Sequence, residues 1–374
     1  MLIKRILKKL VMFFIINFDK LMYIMKLKNP PKEKVIFISE RNDWAIKYVG
    51  QNITDLINKK FIDFIKIISS PKYYQNKVIH FGSQYMWVDW YEFLPKNNFY
   101  VVSFFHGKKE DGQEVEKHIN AFLNSINFIS IIIVSCTIVK NRLLDWGVPY
   151  YKIVLVPIGV NNNLFTPAKT VRKNYIREQF GIKESSIVIG SFQKDGVGWD
   201  QGHIPKLIKG PDIFIKVVKL LKNQGYDITI LLTGPARGYI KKELTKINVS
   251  FIHKYFKKQS DLLKFYHALD VYLITSREEG GPMGLMEAMA SGIPVVSTPV
   301  GMSLDLIKNN HSGKISNNFD YKNIANLLKD LIEDDKLNKV IVKNALQVVD
   351  TVSWINISNQ YYEGVYLQLL KDKI

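Results

Sequence analysis

Apolar residues form two kinds of pattern along this chain. Short, unbroken apolar runs rich in β-branched residues predict buried strands, and stretches in which apolar residues recur every three or four positions predict helices. The two kinds alternate from about residue 34 onward. Such alternation predicts an α/β fold with parallel sheets, in which ligands bind beyond the carboxyl ends of the strands.

The predicted elements fall into two groups that are separated by a polar, basic stretch at 168–177, which predicts a linker. In the first group the strands are 34–39, 61–68, 77–82, 99–105, 128–135 and 152–157, and the helices are 43–58, 112–126 and 137–146. In the second group the strands are 187–192, 227–233, 249–252, 270–275, 293–297 and 314–315, and the helices are 211–224, 237–245, 260–268, 282–291, 321–333 and 337–348.

These groups predict the domain organisation. Residues 31–167 are expected to form one Rossmann-like domain and residues 168–350 a second. Residues 351–374 have apolar positions at helical spacing and predict a final helix. Residues 1–30 precede the first strand and are treated as a separate segment.

The N-terminal segment is basic and apolar. Basic residues stand at positions 4, 5, 8 and 9, and a strongly apolar run at 10–18 ends at Asp19. This run is far shorter than the ~20 residues that span a bilayer, and it lacks the small residues of a signal-peptide cleavage site. A helix of this kind is typical of a segment lying in the headgroup region of an anionic membrane. The alternative is a helix packed on the protein's own surface.

One stretch, 276–299, has the sequence SREEGGPMGLMEAMASGIPVVSTP. It predicts a glycine loop, a helix and a strand, following the buried strand 270–275. Pro282 suits the first helical position, because its φ is fixed and its missing N–H has no partner there in any case. Gly292 suits the position just after the helix, where a left-handed residue ends it.

The loop before this helix predicts an anion site. A glycine loop that leads into a helix presents unpaired N–H groups and the positive end of the helix dipole. The amides concerned are those of Met283, Gly284 and Leu285. Gly280 and Gly281 allow a ligand to approach the backbone closely.

Two carboxylates accompany this anion site. Glu287 lies four residues after Met283 and therefore on the same helix face, one turn deeper, where it can accept two hydroxyls of a ribose. Glu279, on the loop, can accept hydroxyls of a second sugar. The ligand implied contains a sugar, a diphosphate and a nucleoside. The plainer interpretation is that Glu279 is a helix N-terminal charge and Glu287 a solvated surface residue.

Glu279, seven residues, Glu287 and then the run Ala-Met-Ala-Ser-Gly-Ile-Pro-Val-Val resemble the signature of the retaining glycosyltransferases of family 4. The resemblance implies the GT-B fold, with two Rossmann-like domains facing across a cleft, here with an extra basic and apolar N-terminal helix. It also implies that the final helix crosses back to the first domain. The chain has Glu-Gly-Gly-Pro where the commonest form of the family's loop is Glu-Gly-Phe-Gly.

The resemblance extends to other residues. His106 follows the apolar strand 99–105, where the family keeps a histidine that faces the donor sugar. Lys209, before Gly210, matches the family's Lys-Gly, in which the lysine meets the donor diphosphate. The family's arginine on the preceding strand is replaced here by Ser191, and Lys194 is expected to take its role.

The expected site residues thus fall into three groups: catalytic residues, donor-binding residues and candidates on the acceptor side. The catalytic residues are His106 and Glu279; the donor-binding residues are Lys194, Lys209, Gly280, Gly281, Met283, Gly284, Leu285 and Glu287; the acceptor-side candidates are Arg41, Asn42 and Asp43. The acceptor-side residues stand in the first strand–helix loop, where the family often has Gly-Gly instead.

The net charge of the chain limits the kinds of partner that are expected. The chain has 52 Lys+Arg against 34 Asp+Glu, a formal net charge of +18, which attracts polyanions. No nucleic-acid motif is present, which leaves an anionic lipid or a phosphorylated substrate. The resemblance implies a nucleotide-sugar and a saccharide or lipid-linked acceptor as partners, and the basic N-terminal segment indicates an anionic membrane surface. Neither Cys/His zinc spacing nor an Asp-x-Asp motif occurs, so no metal or cofactor is expected. The single cysteine, Cys136, lies in an apolar run and predicts a buried residue in a reducing compartment.

The resemblance implies retaining transfer of a sugar from a nucleotide-activated donor. The basic N-terminal segment indicates a saccharide or lipid-linked saccharide acceptor, in the synthesis of cell-surface polysaccharide or glycolipid. The expected location is cytoplasmic and peripheral, on the inner face of the cell membrane. Two alternatives stay open. A GT-B sugar-nucleotide epimerase needs neither acceptor nor membrane, and a non-catalytic membrane-associated GT-B partner would be expected to lack Glu279, Glu287 or Lys209.

Overall fold

The computed structural model describes residues 2–41, 45–256 and 258–371, without the side chains of residues 2–6. It divides into two compact units. The described residues up to Ile158 and from Trp354 onward form the N-terminal unit, and Gly159–Ser353 form the C-terminal unit. These divisions differ from the limits at 167/168 and 350/351 that the sequence predicts.

The N-terminal unit contains a parallel six-stranded sheet in the order β2-β1-β3-β4-β5-β6. Its strands are β1 Val35–Ile38, β2 Ile65–Ile68, β3 Val78–Phe81, β4 Phe99–Ser103, β5 Ile131–Val134 and β6 Ile153–Leu155. Its helices are α1 Leu2–Ile24, α2 Ala45–Lys60, α3 Gln84–Trp90, α4 Gln113–Asn124, α5 Thr137–Asp145, α14 Trp354–Tyr361 and α15 Leu367–Lys371, the last two joined by a π-helical turn at Tyr362–Tyr366.

The C-terminal unit contains a second parallel six-stranded sheet, in the order β12-β11-β10-β7-β8-β9. Its strands are β7 Ile187–Phe192, β8 Ile228–Thr233, β9 Ser250–His253, β10 Val271–Ile274, β11 Val295–Ser297 and β12 Lys314–Ile315. Its helices are α6 Thr170–Gln179, α7 Pro211–Asn223, α8 Gly238–Lys246, α9 Gln259–Ala268, α10 Met283–Ala290, α11 Ser303–Leu306, α12 Tyr321–Glu333 and α13 Asp335–Thr351.

The strand order of the C-terminal unit decides where a ligand can bind. Its order is that of a doubly wound Rossmann sheet, and the direction of winding reverses between β7 and β10, which are hydrogen-bonded neighbours. Loops that leave two such strands diverge and open a crevice at the carboxyl edge of the sheet. The loops after β7 and after β10 therefore meet at this crevice.

The prediction of a linker at 168–177 is wrong, because α6 occupies Thr170–Gln179. The basic residues that make this segment look like a polar linker form ion pairs within the C-terminal unit. Lys173 and Arg177 pair with the Asp270 carboxylate at 2.7 and 2.6 Å, and Arg177 Nε also donates to the carbonyl of Ala268. The apolar face of α6 is short, and these ion pairs help to hold the helix on the unit.

The predicted strand 61–68 begins too early, since residues 61–63 form a turn and β2 starts at Ile65. The Asn58 side chain explains this start, because its Oδ1 accepts from the amides of Phe64 and Ile65 at 3.0 and 2.9 Å. The short helix α3 was not predicted, although Ser83 caps it by accepting from the amide of Tyr85. Its aromatic residues obscure the helical spacing.

The N-terminal segment forms the helix α1, as expected. Met12 and Ile16 on one face are 5% and 4% exposed. Lys8 and Lys9 pair with Asp89 and Glu92 at 2.6 Å. Within the described ranges, no helix combines the length and apolar character needed to cross a membrane. The segment therefore packs on the protein surface along at least one face.

Candidate functional site

The crevice of the C-terminal unit brings together a lysine and a glutamate that are far apart in the sequence. Lys209 Nζ lies 2.6 Å from Glu279 Oε1, and both side chains are largely shielded from solvent. Lys209 ends the loop after β7, and Glu279 stands in the loop after β10. Two residues predicted separately are thus joined in one ion pair at the carboxyl edge of the sheet.

A second ion pair ties these two loops together. Arg277 donates to both carboxylate oxygens of Asp212 at 2.8 and 2.7 Å, and also to the carbonyl of Leu207. The Arg277 amide donates to the carbonyl of Ile208 at 2.8 Å. Paired, fork-like contacts fix both distance and direction. They therefore hold the turn that carries Lys209 against the loop that carries Glu279.

Sequence reasoning missed Gln193 and Ser276, which complete the surroundings of the ion pair. Gln193 Nε2 donates to the carbonyl of Lys209 at 3.0 Å. The Ser276 hydroxyl lies 2.9 Å from Glu279 Oε1 and 3.2 Å from Gln193 Oε1. Their positions at the ends of β7 and β10 were the available signal, because side chains there converge at the crevice.

The N-terminus of α10 differs from expectation in two details. Pro282 is the N-cap with ψ of 108°, so the helix begins at Met283 and not at the proline. The Leu285 amide donates to the carbonyl of Pro282 at 2.9 Å and is therefore not available to a ligand. Among the described residues, no acceptor pairs with the amides of Met283 and Gly284. These two amides are the ones that can bind an anion.

Glycine is required at the start of α10 because a tyrosine comes close. A Cβ atom on Gly284 would overlap the Tyr272 hydroxyl, which accepts a hydrogen bond from the Phe192 amide at 3.2 Å. Gly280 and Gly281 lie in the loop before the helix, and the Gly280 carbonyl accepts from the Met302 amide at 3.1 Å. The loop is thus supported from beneath. The helix ends as predicted, with Gly292 at φ of +72°.

Glu287 is not a solvated surface residue. It is 7% exposed, and Oε2 accepts a hydrogen bond from the Tyr266 hydroxyl at 2.7 Å. Burial raises the pKa of Glu287 to about 7, and the bond from Tyr266 opposes the rise. This carboxylate is shielded from water, and one hydroxyl donor does not use all of its acceptor capacity. It is therefore suited to accept hydrogen bonds from hydroxyls of a ligand.

The remaining predicted donor residue, Lys194, is held on the face of an aromatic ring. Its Nζ lies 3.5 Å from the ring centroid of Trp199, a cation–π geometry. Both residues belong to the loop between β7 and the Lys209 turn. Ser191 stands where the resemblance led us to look for an arginine on β7. A guanidinium from another part of the unit nevertheless contacts the end of this strand.

That guanidinium belongs to Arg237, which sequence reasoning also missed. Arg237 and Asp195 are both fully buried, with Nε 3.0 Å from Oδ1. Arg237 also donates to the carbonyls of Ser191, Gln193 and Thr233 at 2.7, 2.6 and 2.8 Å. Burial raises the pKa of Asp195, and the nearby guanidinium opposes the rise. Arg237 therefore supports the loop after β7 from inside the unit.

The predicted residues of the N-terminal unit lie on loops of that unit. His106 is exposed and follows β4, and its carbonyl accepts from Gln84 Nε2 at 3.2 Å. Arg41 is exposed after β1, whereas Asn42 and Asp43 lie outside the described residues. Over the residues that the structure describes, no group of three or more His, Cys, Asp or Glu side chains could hold a metal ion.

Comparison with known proteins connects this site to a family. Residues 202–348 match the family described as "Glycosyl transferases group 1", a segment that includes Lys209, Glu279 and Glu287. The capsular polysaccharide biosynthesis glycosyltransferase CapM of Staphylococcus aureus is 25% identical over 178 residues, which cover 46% of each chain. The UDP-Gal:alpha-D-GlcNAc-diphosphoundecaprenol alpha-1,3-galactosyltransferase of Escherichia coli is 26% identical over 52% of this chain and 48% of that protein.

A solved structure extends the likeness to most of the chain. HepE of Anabaena, in complex with UDP and glucose, superposes with a TM-score of 0.72 at 17% identity, covering 89% of this chain and 99% of that one. At this identity the likeness concerns the fold. The chain spans about half the length of the curated relatives that it matches. Residues 202–348 are thus similar to the group 1 glycosyltransferases, and the fold of the chain is GT-B.

Proposed function

We propose that this protein transfers a sugar from a nucleotide-sugar to a saccharide or lipid-linked saccharide acceptor, in the synthesis of a cell-surface polysaccharide or glycolipid. The observation that carries the proposal is the Lys209–Glu279 pair at the crevice, with the buried carboxylate of Glu287 inside the adjoining helix. It is supported by relatives named as glycosyltransferases of capsular polysaccharide and of a diphosphoundecaprenol-linked sugar.

Each part of the donor has a proposed partner. The ribose hydroxyls donate to Glu287, and the diphosphate binds to Lys209, Lys194 and the amides of Met283 and Gly284, at the positive end of α10. Glu279 accepts hydroxyls of the transferred sugar. When the diphosphate enters, Lys209 can bind it without losing Glu279, because an ammonium group has three N–H donors.

We propose retention at the anomeric carbon through a front-face reaction. The bond between the anomeric carbon and the phosphate oxygen breaks, and its electron pair leaves with the diphosphate. The acceptor hydroxyl oxygen forms the new bond on the same face, and its proton passes to the leaving phosphate oxygen. Lysines and helix amides stabilise the charge that develops on this oxygen. His106 is proposed to contact the sugar, and Arg41 the acceptor.

We also propose that the reaction needs no metal ion. The proposal is supported by the ammonium groups of Lys194 and Lys209, which supply positive charge to the diphosphate where a divalent cation would otherwise do so. The nucleotide-sugar is then a co-substrate and no cofactor is involved. Activity in the presence of a chelator is expected to equal activity without it.

Nucleotide binding tests the proposal. We expect the wild-type protein to be stabilised by one class of nucleotide or nucleotide-sugar in a thermal denaturation panel of UDP, GDP, ADP and their sugar derivatives. A ligand at ~100 times its dissociation constant stabilises the folded state by about 2.7 kcal/mol. Glu287→Ala is expected to abolish this stabilisation, because the ribose hydroxyls lose their acceptor.

The outcomes separate the rival functions. A wild-type protein that responds to no nucleotide would contradict the transferase and favour a non-catalytic partner. An epimerase would bind the nucleotide-sugar and alter the sugar without releasing a nucleoside diphosphate. A transferase releases the nucleoside diphosphate in proportion to the acceptor consumed, so this release distinguishes the two enzymes.

We further propose that α1 binds an anionic membrane and places the protein peripherally on the inner face of the cell membrane. The helix has two apolar faces. Met12 and Ile16 are packed on the unit, whereas Phe14 and Phe18, on the other side, are each 66% exposed. Leu10, Leu21 and Ile24 continue the exposed face. An apolar face in a chain of net charge +18 suits an anionic bilayer surface.

Vesicle binding tests this surface. The wild-type protein is expected to co-sediment with vesicles containing phosphatidylglycerol and to bind less as salt is added. Phe14→Gln combined with Phe18→Gln is expected to weaken binding by about tenfold or more, because two phenyl rings no longer leave water. Ile62→Gln is the control, since Ile62 is exposed outside α1. Unchanged vesicle binding by the double variant would contradict the proposal. So would a wild-type protein that is dimeric while the double variant is monomeric, because the exposed face would then be a contact between two copies.

A further inference from the structure

The loop between β7 and the Lys209 turn is a closed hairpin, residues 194–206, which we call the lysine hairpin. The Lys206 amide donates to the carbonyl of Asp195 at 2.7 Å, and the Val197 amide donates to the carbonyl of Ile204 at 2.8 Å. Gly196 and Pro205 form an antiparallel bridge between these two bonds. The loop therefore has a defined conformation at the edge of the donor crevice.

The hairpin is firmly attached to the body of the unit. The carbonyls of Gln201 and Gly202 accept from the first two amides of α8, at 2.6 and 2.9 Å. Gly196 and Gly202 lie so close to the backbone of Ala236 that neither has room for a Cβ atom. The buried Asp195–Arg237 pair anchors the base of the hairpin. Residues on its surface are thus held in position before any ligand binds.

Three ammonium groups gather where the hairpin meets the Lys209 turn. The Lys209 amide donates to the carbonyl of Lys206 at 2.8 Å, so the two residues are separated by one 3₁₀ turn. Lys206 is the N-cap of this turn and Lys209 is its last residue, so both side chains leave the same turn of chain. The hydrogen bond from the Lys206 amide to the Asp195 carbonyl places Lys206 across the hairpin from Lys194. Burial lowers the pKa of Lys206, the ammonium groups of Lys209 and Lys194 lower it further, and the Glu279 carboxylate opposes this fall. Lys194, Lys206 and Lys209 therefore form one cluster.

The cluster has more positive charge than its surroundings neutralise. Glu279 pairs with Lys209 at 2.6 Å. For Lys194 and Lys206, no carboxylate of the described residues lies within ion-pairing distance, 4.0 Å. Lys194 instead rests on the indole of Trp199 at 3.5 Å, which holds the ammonium group at the crevice. The three lysines outnumber the one carboxylate of Glu279 that acts on the cluster, which leaves two net positive charges there. Such a site attracts a ligand that carries two negative charges.

We propose that Lys206, together with Lys194, supplies the counter-charge to the β-phosphate side of the donor's diphosphate, and that Trp199 is the positioning residue for Lys194. This inference rests on the proposed function and adds Lys206 and Trp199 to its site. The lysine hairpin replaces the strand arginine that is absent at Ser191. Lys209 then has a divided role, because it links the diphosphate to Glu279 and through Glu279 to the transferred sugar.

A comparison of nucleoside diphosphates with monophosphates tests this inference. UDP with UMP, GDP with GMP, and ADP with AMP are titrated into the full-length protein, and the pair that binds to the wild type is used for the variants. Lys206→Met and Lys194→Met keep the length of the side chain and remove its charge. Each is expected to weaken diphosphate binding by about 10- to 100-fold. Monophosphate binding is expected to change much less.

Three further variants separate the effect of charge from that of structure. Lys242→Met removes an exposed lysine of α8 and is expected to leave both affinities unchanged. Trp199→Leu is expected to weaken diphosphate binding, and Trp199→Phe, which keeps an aromatic face, to restore most of it. This rescue would not be expected if Trp199 only maintained the fold of the hairpin.

The possible failures are distinguishable. If the wild type binds a diphosphate and Lys206→Met binds it equally well, this inference is overturned while the proposed function stands. Equal losses of monophosphate and diphosphate affinity in Lys206→Met would also overturn it, because the lysine would then act on the whole site. A wild type that binds no nucleotide would overturn the proposed function and this inference together.

Discussion

Replacing Arg237 with methionine is expected to lower the free energy of unfolding of the C-terminal unit by about 3–5 kcal/mol. The substitution leaves the fully buried Asp195 carboxylate without its guanidinium partner. It also leaves the carbonyls of Ser191 and Gln193 without this donor. A buried charge that has lost its partner cannot recover the hydration that it gave up on folding, so the loss exceeds that of an exposed ion pair.

Thermal and urea unfolding of the two proteins measure this difference. Arg277→Met is the matched control, because Arg277 also pairs with an aspartate, Asp212, but in a partly exposed position. Its cost is expected to be about 1 kcal/mol. The double variant Asp195→Leu with Arg237→Met is expected to regain much of the stability, since apolar residues can replace a buried pair. A loss in Arg237→Met no larger than that in Arg277→Met would contradict the explanation.

Nucleotide affinity is expected to rise with pH and to level off above about pH 7, because Glu287 must be ionised to accept the ribose hydroxyls. Burial raises the pKa of Glu287 to about 7 in the ligand-free protein. Hydroxyl donors favour the ionised form, so the nucleotide-bound state has a lower pKa and binding releases a proton below pH 7. The affinity then increases by up to about tenfold for each pH unit below 7.

Calorimetric titration between pH 5.5 and pH 8, in buffers of different ionisation enthalpy, measures both the affinity and the proton released. Glu287→Gln is the control, because its amide does not titrate in this range. The nucleotide's own phosphate titrates equally in both experiments and cancels in the comparison. Equal slopes of affinity against pH for the wild type and Glu287→Gln would show that Glu287 is not the group responsible.

Local patterns predicted much of the C-terminal unit. The bounds of β7, β12 and α12 agree with the structure, because each apolar pattern ends at polar or turn residues. The strand–loop–helix at residues 270–297 was also recognisable, since Gly292 and Pro294 mark the end of α10 unambiguously. In the N-terminal unit, Phe61 and Phe128 gave the same apolar signal as strands, so the predicted strands 61–68 and 128–135 begin before β2 and β5. The aromatic residues of α3 obscured its helical spacing.

What the sequence left wrong or undecided mostly concerns residues whose partners are distant in the sequence, whereas one error, at the start of α10, is local. The stretch that forms α6 was interpreted as a linker because Lys173 and Arg177 looked solvated, and their partner Asp270 is almost a hundred residues away. Glu287 could have been either a ligand-binding or a surface residue until its burial against Tyr266 was known. Leu285 was expected to offer a free amide, but Pro282 is the N-cap and its carbonyl accepts a hydrogen bond from that amide.

The sequence by itself determined the local features of this protein: the two groups of strands and helices, the glycine loop that opens α10, the spacing of Glu279 and Glu287, and the basic, apolar N-terminal helix. These features depend on neighbours within a few turns of chain. Only the tertiary structure decided that Lys209 pairs with Glu279, 70 positions away, and that Arg237 anchors the lysine hairpin. The order of strands in a sheet is set by long-range packing, and the neighbouring positions of β7 and β10 bring those charges together.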